Sequence, residues 1–225
     1  TDQIEYNLLI YGLSFLLMAV ILFGMKLQAR GPLAWTYLAW FGILHGINEL
    51  LVMLAVSLGD GLAFQGVRLA FMCASFIMLC EFGRRSIKAQ GGRAPGVWLY
   101  GPLLAVAGLG GFEGMHGLNA ACRYFLGFPG AVIAGWVLFR QSQARADGRC
   151  LPLLLVALAF FIYGPATGLV VPAAAFFPAS VINYDTFLAC AGLSVQLLRS
   201  LCALAAALGF CVILCERKCT PAPDR

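Results

Sequence analysis

The chain has 225 residues, of which 61% are hydrophobic and only 11% are charged, and its formal net charge is +5. About a quarter of the residues of a soluble domain are charged, so this chain has too few charges to cover a surface that faces water. The composition therefore excludes a soluble globular domain and predicts that lipid surrounds the protein.

Long apolar stretches separated by short polar breaks follow one another along the chain. A helix needs about 20 apolar residues to cross the hydrocarbon core of a bilayer. The stretches are much longer than the strands of a membrane barrel and lack their alternation, so they predict an all-α bundle. We predict seven transmembrane helices, at residues 6–25, 33–57, 62–82, 97–112, 118–139, 151–171 and 194–215.

The loops between these helices are short, which predicts a single transmembrane domain over residues 1–219. The longest connection contains an apolar segment, 186–192, that we expect to lie along the membrane interface. A continuous helix from 186 to 217 would be about 48 Å long and would exceed a bilayer, so we expect a break near 192–194. We expect the tail, 220–225, to lead to a cytoplasmic output module outside this sequence.

Basic residues are distributed unevenly between the two ends of the predicted helices. Lysine and arginine in short loops mark the cytoplasmic side of a membrane protein. If the N-terminus lies outside, the outer loops hold no basic residue and the inner segments hold twelve of the 15. This distribution predicts an outer N-terminus and a cytoplasmic C-terminus, and it explains the net charge without a nucleic-acid partner. The inner basic residues are Lys26, Arg30, Arg84, Arg85, Lys88, Arg93, Arg140, Arg145, Arg149, Arg217, Lys218 and Arg225.

The other three basic residues, Arg68, Arg123 and Arg199, lie inside predicted helices. Each is about five or six residues from the outer end of its helix, or roughly 8–9 Å deep at the helical rise. Ionisable residues inside a bilayer are costly and are functional candidates by default. The three arginines therefore indicate a polar layer in the outer half of the membrane.

The second predicted helix adds His45, Asn48 and Glu49 to this layer. His45 and Glu49 are four residues apart, so they share a helix face. Glu49 lies about 12 Å from the outer end of its helix, and His45 lies about 18 Å from it. We predict that these three residues and the three arginines form a ligand-binding site.

Two interpretations of the polar layer remain open. In the first, it is a structural ion network in which an arginine pairs with Glu49 and another reaches the lipid headgroups. In the second, three arginines against one intramembrane carboxylate leave positive charge uncompensated. A small amphiphilic or lipid-like ligand with an anionic or hydrogen-bond-accepting group would then supply the balance.

His45 also has two interpretations. Its neutral imidazole can form a hydrogen bond with Glu49, or it can contact a quinone or a haem b. His116, in the predicted outer loop at 114–117, would be the second haem ligand, because the sequence holds only two histidines. A membrane redox protein that binds haem or a quinone through His45 is therefore the alternative function.

Motifs for metal binding and catalysis are missing from the sequence. The nine cysteines show neither a C-x-x-C pair nor a zinc spacing, so we predict no metal site and no resident cofactor. There is no G-x-S-x-G, no H-E-x-x-H, and no Ser–Lys or paired-Asp arrangement within the predicted helices. We expect no enzymatic activity in this chain.

Three segments carry motifs with a recognisable pattern: Phe-Gly-x-x-His-Gly-x-Asn-Glu at 41–49, Arg-Tyr-x-Leu-Gly-x-Pro-Gly at 123–130, and Gly-x-x-Val-Gln-Leu-Leu-Arg at 192–199. Together with the seven-helix layout, they resemble the membrane-integral sensory regions that precede PAS, histidine-kinase or diguanylate-cyclase modules in bacterial signalling proteins. The resemblance implies a multi-pass sensor domain in the bacterial inner membrane. Its last helix would pass the signal to a cytoplasmic kinase or cyclase, and the full-length protein would be a homodimer.

Overall fold

The structure is a computed structural model that describes residues 2–28, 33–144 and 151–219. Within these ranges every regular element is helical, apart from one isolated β-bridge between Val171 and Asn183, so the predicted all-α class is confirmed. The helices are α1 (Asp2–Gln28), α2 (Trp35–Leu58), α3 (Leu62–Ala89), α4 (Tyr100–Leu109), α5 (Gly114–Cys122), α6 (Phe128–Gln143), α7 (Leu151–Gly168), α8 (Tyr184–Ala191) and α9 (Val195–Cys219).

Several of these helices have the length and composition of membrane spans. Among the described residues, six helical stretches are long and apolar enough to cross a bilayer, as expected of a multi-pass membrane protein. They are Glu5–Met25, Trp35–Leu58, Leu62–Ala89, Val97–Gln143, Leu151–Gly168 and Val195–Glu216. The fourth stretch covers both the predicted helix at 97–112 and the one at 118–139, because short turns of 3-10 and π helix join α4, α5 and α6 without a loop.

The chain nevertheless reverses direction inside this fourth stretch. A Cβ atom added to Gly110 would lie 2.5 Å from the carbonyl oxygen of Gly117, although seven residues of a straight helix span about 10 Å. Gly114, with φ of +72°, lies at the turn between α4 and α5. The arm from Val97 to Leu109 is only about 20 Å long at the helical rise, which is shorter than a full bilayer crossing.

Helix α3 continues beyond the predicted boundary at residue 82. It ends at Ala89, so Arg84 and Arg85 lie on its last turns and not in a loop as expected. The carboxylate of Glu81 explains the extension, because it accepts hydrogen bonds from Arg84 at 2.6 and 2.7 Å and from Arg85 at 2.5 Å. Ion pairs three or four residues apart stabilise a helix, so the first charges after an apolar run do not end it.

The expected break before the last helix is confirmed. Asn183 caps the short helix α8: its side-chain oxygen accepts from the backbone amide of Thr186, and the Thr186 hydroxyl accepts from the amide of Asn183. Gly192 ends α8 in the left-handed conformation with φ of +69°, and α9 begins at Val195. Because none of the residues of α8 is fully buried, its position agrees with the predicted interfacial segment. The predicted tail, 220–225, lies outside the described residues.

Helices α1 and α2 approach each other closely at glycines. A Cβ added to Gly46 would lie 2.9 Å from the carbonyl oxygen of Gly12, and one added to Gly42 would lie 2.8 Å from that of Phe15. Small residues four apart allow membrane helices to pack backbone against backbone. This contact brings Tyr11 and Phe15 of α1 against His45 of α2 in the middle of the bundle.

Candidate ligand-binding cavity

A cavity of about 630 Å³ lies at the end of the bundle where α1 begins. Its walls come from the beginnings of α1, α3, α5 and α9, the second half of α2, the connection from α2 to α3, the turn that follows α5, and the connection between α7 and α9. The structure brings five of the six predicted site residues to this one cavity, and the sixth, His45, does not line it. The five are Asn48, Glu49, Arg68, Arg123 and Arg199.

His45 lies beneath the cavity and is completely buried. Its Nδ1 atom is 3.0 Å from the hydroxyl of Ser75. Its Nε2 atom is 2.9 Å from the hydroxyl of Tyr163 and 3.2 Å from that of Tyr11. The carboxylate of Glu49, the expected partner, is farther away, at 3.4 Å from Nε2.

The hydrogen bonds around His45 define its tautomer. Ser75 donates its own proton to the carbonyl of Met72 at 2.7 Å, so it must accept from Nδ1–H of His45. In a neutral imidazole Nε2 is then an acceptor, and Tyr163 donates to it, while Tyr11 donates to Tyr163. Both ring nitrogens are thus occupied by protein groups.

This arrangement does not fit the haem or quinone alternative. A haem iron needs a free imidazole nitrogen and a quinone needs an accessible one, and the fully buried His45 offers neither. His116, the second ligand in that alternative, lines the cavity at its exposed rim. Among the described residues, no group of three or more His, Cys, Asp or Glu side chains could hold a metal ion.

The three arginines of the cavity have different partners, and Arg68 is neutralised at the rim. Its guanidinium forms an ion pair with Asp60, which lies in the short connection between α2 and α3. It also lies over the ring of Phe64, 5.8 Å from the centroid. Arg68 therefore contributes little free positive charge to a ligand.

Arg199 connects α9 to the end of α7. Its Nε and Nη2 atoms donate to the carbonyl of Ala166 at 2.9 and 2.7 Å, and Nη2 also donates to that of Val170 at 2.7 Å. The last carbonyls of a helix have no amide partner within the helix, so a basic side chain stabilises them. A longer contact of 3.4 Å joins Nη1 to the hydroxyl of Tyr184. Most donors of Arg199 are thus committed to the fold.

Arg123 keeps free N–H groups without a carboxylate partner among the described residues, whereas Arg68, whose buried Nε also lacks an acceptor, is ion-paired with Asp60. Arg123 is only 5% exposed, and it donates from Nε to the side chain of Asn119 at 2.8 Å and from Nη1 to the carbonyl of Thr167 at 3.3 Å. In the described part of the chain, no carboxylate lies within 4 Å of it and Nη2 has no acceptor. Arg123 also begins a π-helical turn, Arg123–Gly127, a feature that is frequent at functional sites.

Glu49 is the deep carboxylate of the cavity, with 4% of its surface exposed. Its Oε1 atom accepts a hydrogen bond from the side-chain amide of Asn48 at 3.0 Å. The expected ion pair between Glu49 and an arginine is not formed, since no arginine nitrogen of the described residues lies within 4 Å of it. A structural ion network centred on Glu49 therefore does not describe this layer.

The charge balance of the cavity also differs from the expected one. Besides Glu49, the cavity is lined by Asp60 and by Asp185 at the start of α8, so three carboxylates face three arginines. Burial acts to raise the pKa of the neighbouring Tyr184, but the positive charges of Arg123 and Arg199 leave that pKa below its usual value. The buried part of the lining holds two guanidinium groups, those of Arg123 and Arg199, and one carboxylate, that of Glu49, whereas the lining as a whole holds equal numbers of arginines and carboxylates.

Further polar residues line the cavity that the sequence analysis did not single out. They include three side-chain amides, each three or four residues before an arginine of the site: Gln65, Asn119 and Gln196. Residues at this spacing lie on the same helix face. An amide preceding each intramembrane arginine is therefore a signal in the sequence that could have identified them.

Comparisons with known proteins give no relative from which a function could be transferred. No protein-family model matches the chain, and neither a curated protein nor a solved structure matches it.

Proposed function

We propose that this chain is the ligand-binding membrane domain of a bacterial signalling receptor, and that its cavity binds a small amphiphilic molecule. The observation that carries the proposal is the buried guanidinium of Arg123, which faces the cavity with uncommitted N–H groups. Charged residues within a membrane domain are costly, and one that is not neutralised by the protein indicates a binding role. The chain itself has no enzymatic activity in this proposal.

The distribution of basic residues supports the orientation in the proposal. In this proposal the chain passes the inner membrane seven times, the short arm from Val97 to Leu109 included, so that the N-terminus lies outside and the C-terminus lies in the cytoplasm. The cavity then opens on the outer side, because it lies where α1 begins and α2 ends. A ligand would enter from the outer leaflet or from the water above it.

Helix α9 provides a route for the signal. Its first turn carries Arg199 on the cavity wall, and its other end leads towards the proposed cytoplasmic kinase or cyclase. Arg199 also fixes α9 to α7 through the carbonyls of Ala166 and Val170. A ligand that binds one arrangement of this contact more tightly than another would shift the position of α9.

Ligand retention in the purified protein tests the proposal. The wild-type chain, the variant Arg123→Gln and the control Arg140→Gln, an exposed arginine in the last turn of α6, are purified in mild detergent and analysed by native mass spectrometry. Loss of a charge-assisted hydrogen bond lowers affinity about ten- to a hundredfold, so Arg123→Gln should lose a small molecule that the other two retain. Equal occupancy in all three proteins contradicts a role for Arg123. Absence of any bound molecule from all of them contradicts the proposal of a ligand-binding domain.

A further inference from the structure

We infer that the ligand of this cavity is a zwitterion, with a carboxylate that binds Arg123 and an ammonium group that binds Glu49. The inference rests on the proposed function and specifies the ligand class for the same cavity. It differs from the sequence-based expectation of an amphiphile with an anionic or hydrogen-bond-accepting group, because it gives the buried carboxylate a role in binding.

The anionic group of the ligand follows from the N–H groups of Arg123 that have no acceptor in the protein. Three of its five N–H groups, including both on Nη2, have no acceptor among the described residues. The guanidinium is planar, and two parallel N–H groups match the two oxygens of a carboxylate. Because Arg68 is paired with Asp60 and Arg199 with backbone carbonyls, Arg123 is the arginine best able to bind such a group.

The cationic group of the ligand follows from the hydrogen bonds of Glu49. An ionised carboxylate has about four acceptor positions, and among the described residues Glu49 accepts a hydrogen bond only from Asn48. His45 cannot donate another, since Nε2 of its neutral ring carries no hydrogen and accepts a hydrogen bond from Tyr163. A carboxylate that is 96% buried with one donor is poorly satisfied, and an ammonium group would provide up to three more N–H donors.

The charge of the whole lining favours a ligand without net charge. Three arginines and three carboxylates line the cavity, so a net anion would leave the occupied cavity negative, while a zwitterion keeps it balanced. Apolar side chains also line the wall, among them Val52, Leu69 and Met72, and they can contact the body of the ligand between or beside its charged groups. A small amino acid or an ω-amino acid has this composition.

A matched series of compounds tests the inference on the whole chain in lipid nanodiscs. The zwitterions are leucine, phenylalanine and the ω-amino acids from glycine to 8-aminooctanoate, which vary the separation of the charges. Each is compared with the carboxylate that lacks its amino group and with the amine that lacks its carboxylate. Binding is measured by calorimetry and by the shift in melting temperature. At least one zwitterion should bind about tenfold or more tightly than both of its single-charge relatives.

Variants assign the two charged groups of the ligand to their residues. Arg123→Gln should reduce the affinity for that zwitterion to the level of the matched amine, and Glu49→Gln to the level of the matched carboxylate. Arg140→Gln should leave the affinity unchanged. If a glutamine variant does not give monodisperse protein, Arg123→Lys or Glu49→Asp takes its place. Arg123→Lys should lower the affinity for the zwitterion more than the affinity for the matched amine. Glu49→Asp should lower the affinity for the zwitterion more than the affinity for the matched carboxylate.

The outcomes separate the zwitterion from the proposed function. Carboxylates that bind as tightly as the zwitterions, with no effect of Glu49→Gln, would show that Glu49 does not bind an ammonium group and would overturn the inference while leaving the cavity a ligand site. The same holds if no compound of the series binds but a molecule without an amino group co-purifies in an Arg123-dependent manner. If nothing binds and nothing co-purifies, both proposals fail.

Discussion

The hydroxyl of Tyr163 on α7 donates a hydrogen bond of 2.9 Å to Nε2 of His45 on α2, although 118 residues separate them in the chain. Tyr11 of α1 donates to Tyr163 at 3.2 Å, and Ser75 of α3 accepts from the other nitrogen of the same imidazole. One buried histidine thereby connects four helices directly beneath the cavity. It is a structural centre of the bundle, one helical turn before Glu49, which lines the cavity.

Removal of the Tyr163 hydroxyl should therefore destabilise the fold. Tyr163→Phe leaves a buried nitrogen of His45 without its nearest donor, and such a loss costs about 1–3 kcal/mol. Thermal unfolding of the detergent-solubilised protein should show a lower melting temperature than wild type. Tyr6→Phe is the matched control, because Tyr6 is largely exposed on the first turns of α1. Equal melting temperatures for the two variants would contradict the role given to this network.

A methyl group on Gly46 should also lower the stability. Its Cβ would lie 2.9 Å from the backbone oxygen of Gly12, so Gly46→Ala would force α1 and α2 apart. Overpacking of a tight contact typically costs about 1–3 kcal/mol.

Gly66 provides the comparison for Gly46, since it is also helical but has no atom within 4 Å of an added Cβ. Gly66→Ala should leave the melting temperature unchanged or raise it, because alanine favours helix over glycine by about 1 kcal/mol. The two variants are compared by thermal unfolding in the same detergent. A Gly46→Ala protein as stable as Gly66→Ala would show that the α1–α2 contact is looser than described.

The polar layer could be predicted from the sequence because each of its residues interrupts an apolar run. The position of Arg68, Arg123 and Arg199 near the ends of their helices was enough to expect them around one space, and all three line the cavity. What each arginine binds could not be predicted. The acceptors of Arg199 are carbonyls about 30 residues earlier, at Ala166 and Val170, and every residue has such a carbonyl.

The hydrogen-bond partners of His45 could not be predicted from the sequence either. The spacing of four residues suggested Glu49 as its partner, but tertiary packing brought Tyr11 and Tyr163 closer to the imidazole. The reversal between α4 and α5 was expected at the outer loop 114–117, which separates the predicted helices at 97–112 and 118–139, but these residues begin α5 instead of forming a loop.

Labelling of single cysteines tests the proposed orientation. Cys190 is exposed on α8, at the same end of the bundle as the cavity, and Gln143 is exposed at the opposite end, on the last turn of α6. Proteins that carry only Cys190, or only the substitution Gln143→Cys, are treated in intact cells with a membrane-impermeant maleimide. Cys190 should react in intact cells, and the cysteine at 143 only after permeabilisation. The reverse pattern would place the cavity on the cytoplasmic side.

The last prediction compares Arg199, whose role we describe as structural, with Arg123, which we propose to bind the ligand. Arg199→Gln removes donors from the carbonyls of Ala166 and Val170, which then remain buried at the end of α7. Hydrogen bonds from charged groups contribute about 1.5–3 kcal/mol each, so the melting temperature of the ligand-free protein should fall strongly.

Arg123→Gln should behave differently in the same measurement. Arg123 makes one hydrogen bond to the side chain of Asn119 and a longer one, of 3.3 Å, to the backbone of Thr167, and a glutamine in its place also relieves an unpaired buried charge. Its ligand-free melting temperature should therefore lie close to that of wild type, while the stabilisation by ligand is lost. Arg199→Gln should retain ligand-induced stabilisation at temperatures where it is folded. If Arg123→Gln were instead the less stable of the two without ligand, its charge would be structural and the cavity would lose its anchor for an anion.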